Sequence, residues 1–251
     1  MNWKTIKTFS IVLFLILNVF LIILTYNMNN AKKISQSDIN ETITLLNNNN
    51  IKIDASIIPV LPSEENNINL TDIYYLNDNI TNIERTENEL IIKIPYYSDN
   101  KLSTQNNILK LLEKYNFDTE NIQLHTINDN QYKITYHINN MQVFDNNMIL
   151  SLNNDNITLK GKWYIYESEN AYNWEYSGSG YATSALINFI SHPKRDESKT
   201  TTITAIDYGY YANADNFNKN YKIISSSPCY RLTTDTGMMY YYSISEGNFV
   251  N

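Results

Sequence analysis

Few groups in this chain could carry chemistry: His125, His137 and His192, the single Cys229, and acidic neighbours such as Glu64 with Glu65 and Asp196 with Glu197. Two histidines on one face of a sheet could share a metal ion. The apolar pattern opposes that, because pairing Leu124 with Ile134 and Ile122 with Tyr136 sets Lys133 across from His125 and leaves His137 four residues farther along. At about 3.3 Å per residue the imidazoles stand ~13 Å apart, too far for ligands that bind one ion at ~2 Å. Cys229 follows Pro228 at the head of a strand-like run with no histidine close in sequence, the setting of a small, partly buried apolar side chain. The acidic pairs fall in loops without the apolar surroundings that raise a carboxylate's pKa, so they read as solvated charge. No phosphate loop, zinc signature, GxSxG or SxxK is present. The sequence thus offers no catalytic residue, cofactor or metal site, and the expectation is a protein that is not an enzyme.

Contact is the remaining kind of chemistry. In Tyr240, Tyr241 and Tyr242 consecutive rings alternate faces of a strand, so at least one points away from the core. The same holds for Tyr210 and Tyr211. Exposed tyrosine anchors interfaces, which makes these five candidate partner contacts in a chain that holds 21 tyrosines. A sixth candidate is Asn18, an amide inside the apolar run Val12 to Tyr26.

The elements that position these groups begin with that run. Ile6 to Leu24 is 19 residues, ~28 Å as a helix, which matches a bilayer's hydrocarbon core, and no A-x-A-like cleavage site follows. With Trp3 and Tyr26 at opposite interfaces, it reads as a single-pass signal anchor with the short tail cytoplasmic and the body outside. Residues 34–251 carry 15 Lys and Arg against 26 Asp and Glu, a net charge of −11, which disfavours nucleic acid and anionic lipid as partners. One cysteine cannot form an intramolecular disulfide.

Behind the anchor, Ile39, Ile43 and Leu46 predict a helix over 37–48 capped by Ser37, followed by a polar connector to about Asn88. "ELIIKIPYY" predicts a strand, Ser103 starts a helix with Ile108, Leu111, Leu112 and Tyr115 on one face, and alternation predicts a meander of four strands to residue 168. Ala182, Ala185, Leu186, Phe189 and Ile190 predict a second amphipathic helix. Strands follow in "TTITAIDYGYY", "YKIIS", "CYRLTT" and "GMMYYYSI", the last two joined by "TDTG" with Gly237 in a left-handed turn. The expected architecture is α+β: anchor and tail in 1–30, a membrane-proximal helix and connector in 31–90, and two helix-plus-antiparallel-meander units in 91–168 and 169–251.

Four stretches resemble the YycI (WalI) family of Gram-positive regulatory proteins. They are "MNWKTIKTFSIVLFLILNVFLIIL", "LLNNNNIKIDASIIP", "NNMQVFDNNMILSLNNDNITLKGKW", and "AIDYGYY" with "SSPCYRLTTDTGMMYYYSISEGNF", in which Cys229 and Tyr230 stand where the family usually has Ala and Trp. The resemblance implies an α+β extracytoplasmic regulator that acts with a YycH-like protein on a YycG/WalK-type sensor histidine kinase controlling cell-wall metabolism. It also implies that the anchor helix touches the kinase's own helices. The alternative expectation is an anchored binding module for a wall fragment or peptide, with a Tyr-lined pocket.

Overall fold

The computed structural model describes Lys7 and residues 11–23, 34–60, 67–75, 82–86, 89–96, 104–153, 156–170, 181–212, 222–244 and 248–250, the side chains of 169 and 170 excepted. Trp3, Tyr26, Glu64, Glu65 and Ser103 lie outside these residues. Four helices appear among them: α1 over residues 11–23, α2 over Gln36–Asn48, α3 over Thr104–Lys114 and α4 over Ala182–Ile190. The first strands are β1 (Ile51–Ile53), β2 (Asn67–Asp72), β3 (Ile83–Arg85) and β4 (Leu90–Pro95). Between α3 and α4 run β5 (Ile122–Asn128), β6 (Gln131–Ile138), β7 (Met141–Leu152), β8 (Asn156–Gly161) and β9 (Tyr164–Asn170). The last are β10 (Thr201–Tyr211), β11 (Ile223–Thr234) and β12 (Met239–Ser243).

The expected pair of repeated units is corrected: all twelve strands belong to one sheet, and the protein is mostly sheet. The order β3-β4-β8-β7-β10-β11-β2-β9 has β6 and β5 added on β7, β1 on β10 and β12 on β11. Continuity comes from two long strands that change partners. β7 lies parallel to β10 at 142–144 and antiparallel to β8 at 148–152. β11 pairs with β2 at 223–226 and with β12 at 229–233, while β10 lines its other edge from Ser227 to Thr234. Pro228 sits at that change, inside the single strand that runs from Ile223 through "CYRLTT". A residue without an N–H is tolerated where a ladder is interrupted.

The expected transmembrane helix is corrected as well. Among the described residues no helix is long and apolar enough to cross a membrane.

Two cores flank the sheet. In one, Ile108 and Leu112 of α3 pack on β4 to β9 around fully buried Trp163. Phe117 reaches back into that core, its N–H donating to the Leu112 carbonyl after Asn116 takes a left-handed φ of 59°. Trp163 packs against Phe117 at 5.7 Å and Tyr136 at 5.5 Å between ring centres. In the other core, Ile39 and Leu46 of α2 meet Ala182, Ala185, Leu186 and Phe189 of α4 over β1, β10, β11 and β12. Residues 31–90 therefore supply α2 and β1 to one core and β2, with Ile68 and Leu70, to the other.

Local chemistry sets the element ends. Ser35, two residues before the predicted cap, receives the Asp38 N–H at 3.1 Å while the Asp38 carboxylate accepts from the Ser35 N–H, a reciprocal cap. Gly161 ends β8 at φ +150°, where a Cβ would lie 2.3 Å from the Asn147 carbonyl oxygen. Only glycine lets the two backbones approach so closely. There the chain changes partners, β8 staying with β4 and β7 while β9 leaves to pair with β2.

Candidate functional site

Three places gather the groups singled out above: α1, the crossing where β7 changes partners, and the turn after α4.

α1 is apolar on every side. From Ile11 to Ile23 its large hydrophobic side chains are about half to two-thirds exposed, Val12 at 48% and Ile22 at 69% being the extremes. A helix hydrophobic all round belongs in an apolar medium or against an apolar partner. Asn18 is partly buried, and its Nδ2 donates to the Phe14 carbonyl at 2.8 Å, one turn back. The amide thus satisfies a donor within its own helix, which lowers the penalty of placing it in such surroundings.

The five tyrosines are not surface anchors. Tyr210, Tyr211, Tyr240, Tyr241 and Tyr242 are all buried, at 1 to 8% exposure. Their faces do alternate: Tyr240 and Tyr242 enter the α2–α4 core, while Tyr241 points the other way. The sheet's second face is covered too, because Tyr241, Tyr211, Phe144 and Cys229 form a small cluster of their own. Tyr211 and Tyr241 stack there at 4.5 Å. Sequence alternation shows that rings point oppositely, but not that both faces are capped.

That cluster adjoins the β7 crossing. Asp145 takes a left-handed φ of 68°, and the next residue, fully buried Asn146, stands in for a strand: its Nδ2 donates to the Tyr164 carbonyl at 2.7 Å and its Oδ1 accepts the Tyr164 N–H at 2.9 Å. Burial raises the Asp145 carboxyl above its ordinary pKa, opposed by the Lys162 charge, a hydrogen bond from Tyr211 and the Arg231 charge. Arg231 lies 4.2 Å over the Phe144 ring and donates to the Asp207 carboxylate at 2.9 Å. Cys229 is 1% exposed, and burial with the nearby Asp145 charge pushes its thiol far up. A thiol so held stays protonated, which is the opposite of what a nucleophile needs. Burial likewise lifts the Tyr241 phenol to about 12. The arrangement can fix strand geometry; it presents no activated group.

The other candidates resolve simply. β5 and β6 take the predicted register, Leu124 opposite Ile134 and His125 opposite Lys133. His125 Nε2 bonds the Thr135 hydroxyl at 3.2 Å, which leans it toward His137, and burial together with the His125 charge lowers the His137 pKa. Asp196 closes a loop by accepting from the Ser198 hydroxyl at 2.6 Å and N–H at 3.1 Å, and these bonds with Lys199 hold its carboxyl down at about 2. Among the described residues no three His, Cys, Asp or Glu side chains gather where they could hold a metal. A shallow hollow of about 280 Å³ between α3 and the turn at Thr119–Asn121 is lined by Asn106, Leu109, Lys110, Glu113, Thr119 and Glu120. No tyrosine lines it, unlike the pocket expected of a wall-fragment binder.

Two features escaped the sequence reading. Arg195 is buried, its Nε and Nη2 donating to the Ile190 carbonyl at 2.9 and 2.7 Å and its Nη1 to the Asn49 carbonyl at 3.0 Å. One guanidinium thus closes the carboxy-terminal ends of both α4 and α2, where orphan carbonyls and the negative end of the helix dipole favour a cation. A cation in the turn after a predicted helix was the available signal; the second helix was not visible, since Asn49 is 146 residues away. The other feature is a ring cage around His192, described below.

Compared with known protein families and with curated proteins, the chain matches no family model and no curated sequence.

Proposed function

We propose that this protein is a noncatalytic regulator held at the cell membrane by its apolar amino-terminal segment, with the body on the extracytoplasmic side. In this reading it biases a sensor histidine kinase of the YycG/WalK type, together with a YycH-like protein, by binding one signalling state better than another. The observation that supports it best is the all-round exposed apolar surface of α1. The latch from Arg195 to the end of α2 adds to it, because it fixes the first helix of the body to the rest. The four YycI-like stretches supply the identity of the partners.

The test is crosslinking from position 18 of the full-length protein in cells. A captured sensor kinase and a YycH-like protein are expected; capture of neither overturns the proposal. Asn18 keeps its Oδ1 for one bond from a neighbouring helix, worth ~0.6 to 2 kcal/mol. With the crosslinker moved to exposed Leu21, Asn18→Leu is therefore expected to reduce capture about threefold or more, and undiminished capture shows that Asn18 only satisfies itself.

A further inference from the structure

His192 lies in the turn after α4 and is 4% exposed. Its Nδ1 accepts the Lys194 N–H at 3.1 Å, so the neutral ring carries its proton on Nε2. Among the described residues Nε2 has no hydrogen-bond partner. Rings surround it instead: Phe249 at 4.2 Å and Tyr240 at 4.6 Å, both edge-to-face, with Phe189 and Tyr242 at 6.2 Å. Phe249 belongs to the stretch 248–250, which is otherwise held by the Ser243 N–H on the Asn248 carbonyl, the Val250 N–H on the Tyr241 carbonyl and a bridge to Tyr242. Three residues past His192 stands Arg195, whose own N–H donates to the His192 carbonyl at 3.0 Å. One turn thereby holds two things, the carboxy-terminal stretch through His192 and the ends of α2 and α4 through Arg195.

We propose that His192 is an acid-released clasp: protonating it frees residues 248–250 and loosens the seam between α2 and α4. A proton on Nδ1 turns the acceptor into a donor facing the Lys194 N–H, and two donors cannot share a bond. The new charge sits in a cage of hydrocarbon rings, where ions are poorly solvated. Among the described residues the charged and titratable groups around it do not rescue it. From its own turn come the Lys194 and Arg195 cations; Glu197 is 3.9 Å from Arg195, and Asp196 is bound to Ser198 and Lys199. From β12 come the Tyr240 and Tyr242 phenols, with the Arg195 charge acting on Tyr242. α4 contributes only Phe189, and α2 is reached only through the Asn49 carbonyl on Arg195. Attraction of an imidazolium to ring faces works the other way; burial and Lys194 outweigh it, and they hold the imidazole below its ordinary value. The open form takes its proton near pH 6.5 and the closed form only at lower pH. Closure is therefore fully favoured above about 6.5 and weakens as pH falls.

The experiment is amide hydrogen exchange of the full-length protein in detergent micelles at pH 7.5 and 5.0, corrected for intrinsic rates. Peptides covering 239–250 and 36–49 are expected to open at least tenfold more at pH 5.0, and His192→Phe is expected to abolish that rise. His192→Gln, which cannot titrate but can still accept from Lys194, serves the same purpose should the phenylalanine not fold. His137→Gln is expected to keep the rise, since His137 titrates in the same direction but on the other core. An unchanged rise in the His192 variants, no rise in the parent protein, or an NMR titration placing His192 above 6.5 overturns the proposal.

Discussion

The two cores are built on different principles. The α3 side is closed by hydrocarbon, Ile108, Leu112, Phe117 and Trp163 interlocking with strand residues, and its buried polar side chains bond inside the sheet region, Asn146 to Tyr164, Asp72 to Arg85 and Tyr136 to Asp118. The α2–α4 side is closed by apolar faces plus polar fastenings at its rim, the Arg195 guanidinium and the His192 imidazole. Apolar burial is non-directional and insensitive to pH, whereas a hydrogen-bonded ion depends on each partner staying in place. The α3 side therefore keeps its polar bonds among strands and the turn before β5, and the other side keeps them at the turn where two helices end.

That contrast can be broken or sharpened by substitution. Trp163→Ala leaves the largest void in the α3 core and is expected to cost about 3–5 kcal/mol, seen as a loss of global stability in urea; a loss confined to α3 would show that the two cores unfold separately. Arg195→Met keeps the stem but abandons the Ile190 and Asn49 carbonyls, at about 1.5–3 kcal/mol. Its signature is faster amide exchange in α2 and α4 with α3 unchanged. Ser35→Ala removes the cap of α2 for about 1 kcal/mol, read as fraying of the first turn alone. Lys160→Ala, which breaks the exposed pair with Glu89 at 3.0 Å, is expected to change stability by less than about 1 kcal/mol. Stability itself is expected to fall as pH drops below about 6.5. Both His137 and His192 have lowered pKa values in the fold, so the unfolded chain binds more protons there. Urea midpoints at pH 7.5 and 5.5 check the sign.

Local patterns were legible where the fold obeys them locally. The strand 201–211, the helix around Leu186, the β5–β6 register and the left-handed Gly237 at φ 79° all follow from spacing and turn chemistry. What failed depended on distant chain. β2 reads as a polar connector because "NINLTD" holds two apolar residues, yet lying between β9 and β11 buries Thr71 and Asp72 as well. Asp72 keeps Arg85 and the Tyr74 N–H as partners there. The helix 36–48 announced its apolar stripe but not that α4 would cover it. The tyrosines announced alternation but not the second cover. Residues that switch partners, Asp145 with Asn146 and Pro228, left no periodic mark at all.

The parallel pairing of Ile51 with Thr201 has a consequence for manufacture. It joins positions about 150 residues apart, and a ribosome adding 5–20 residues each second needs roughly 8–30 s to cover that distance. During that interval the apolar stripe of α2, the first part of the body to emerge, has neither α4 nor β10 to cover it. A chaperone has that long in which to meet Ile39 and Leu46 before the protein closes over them.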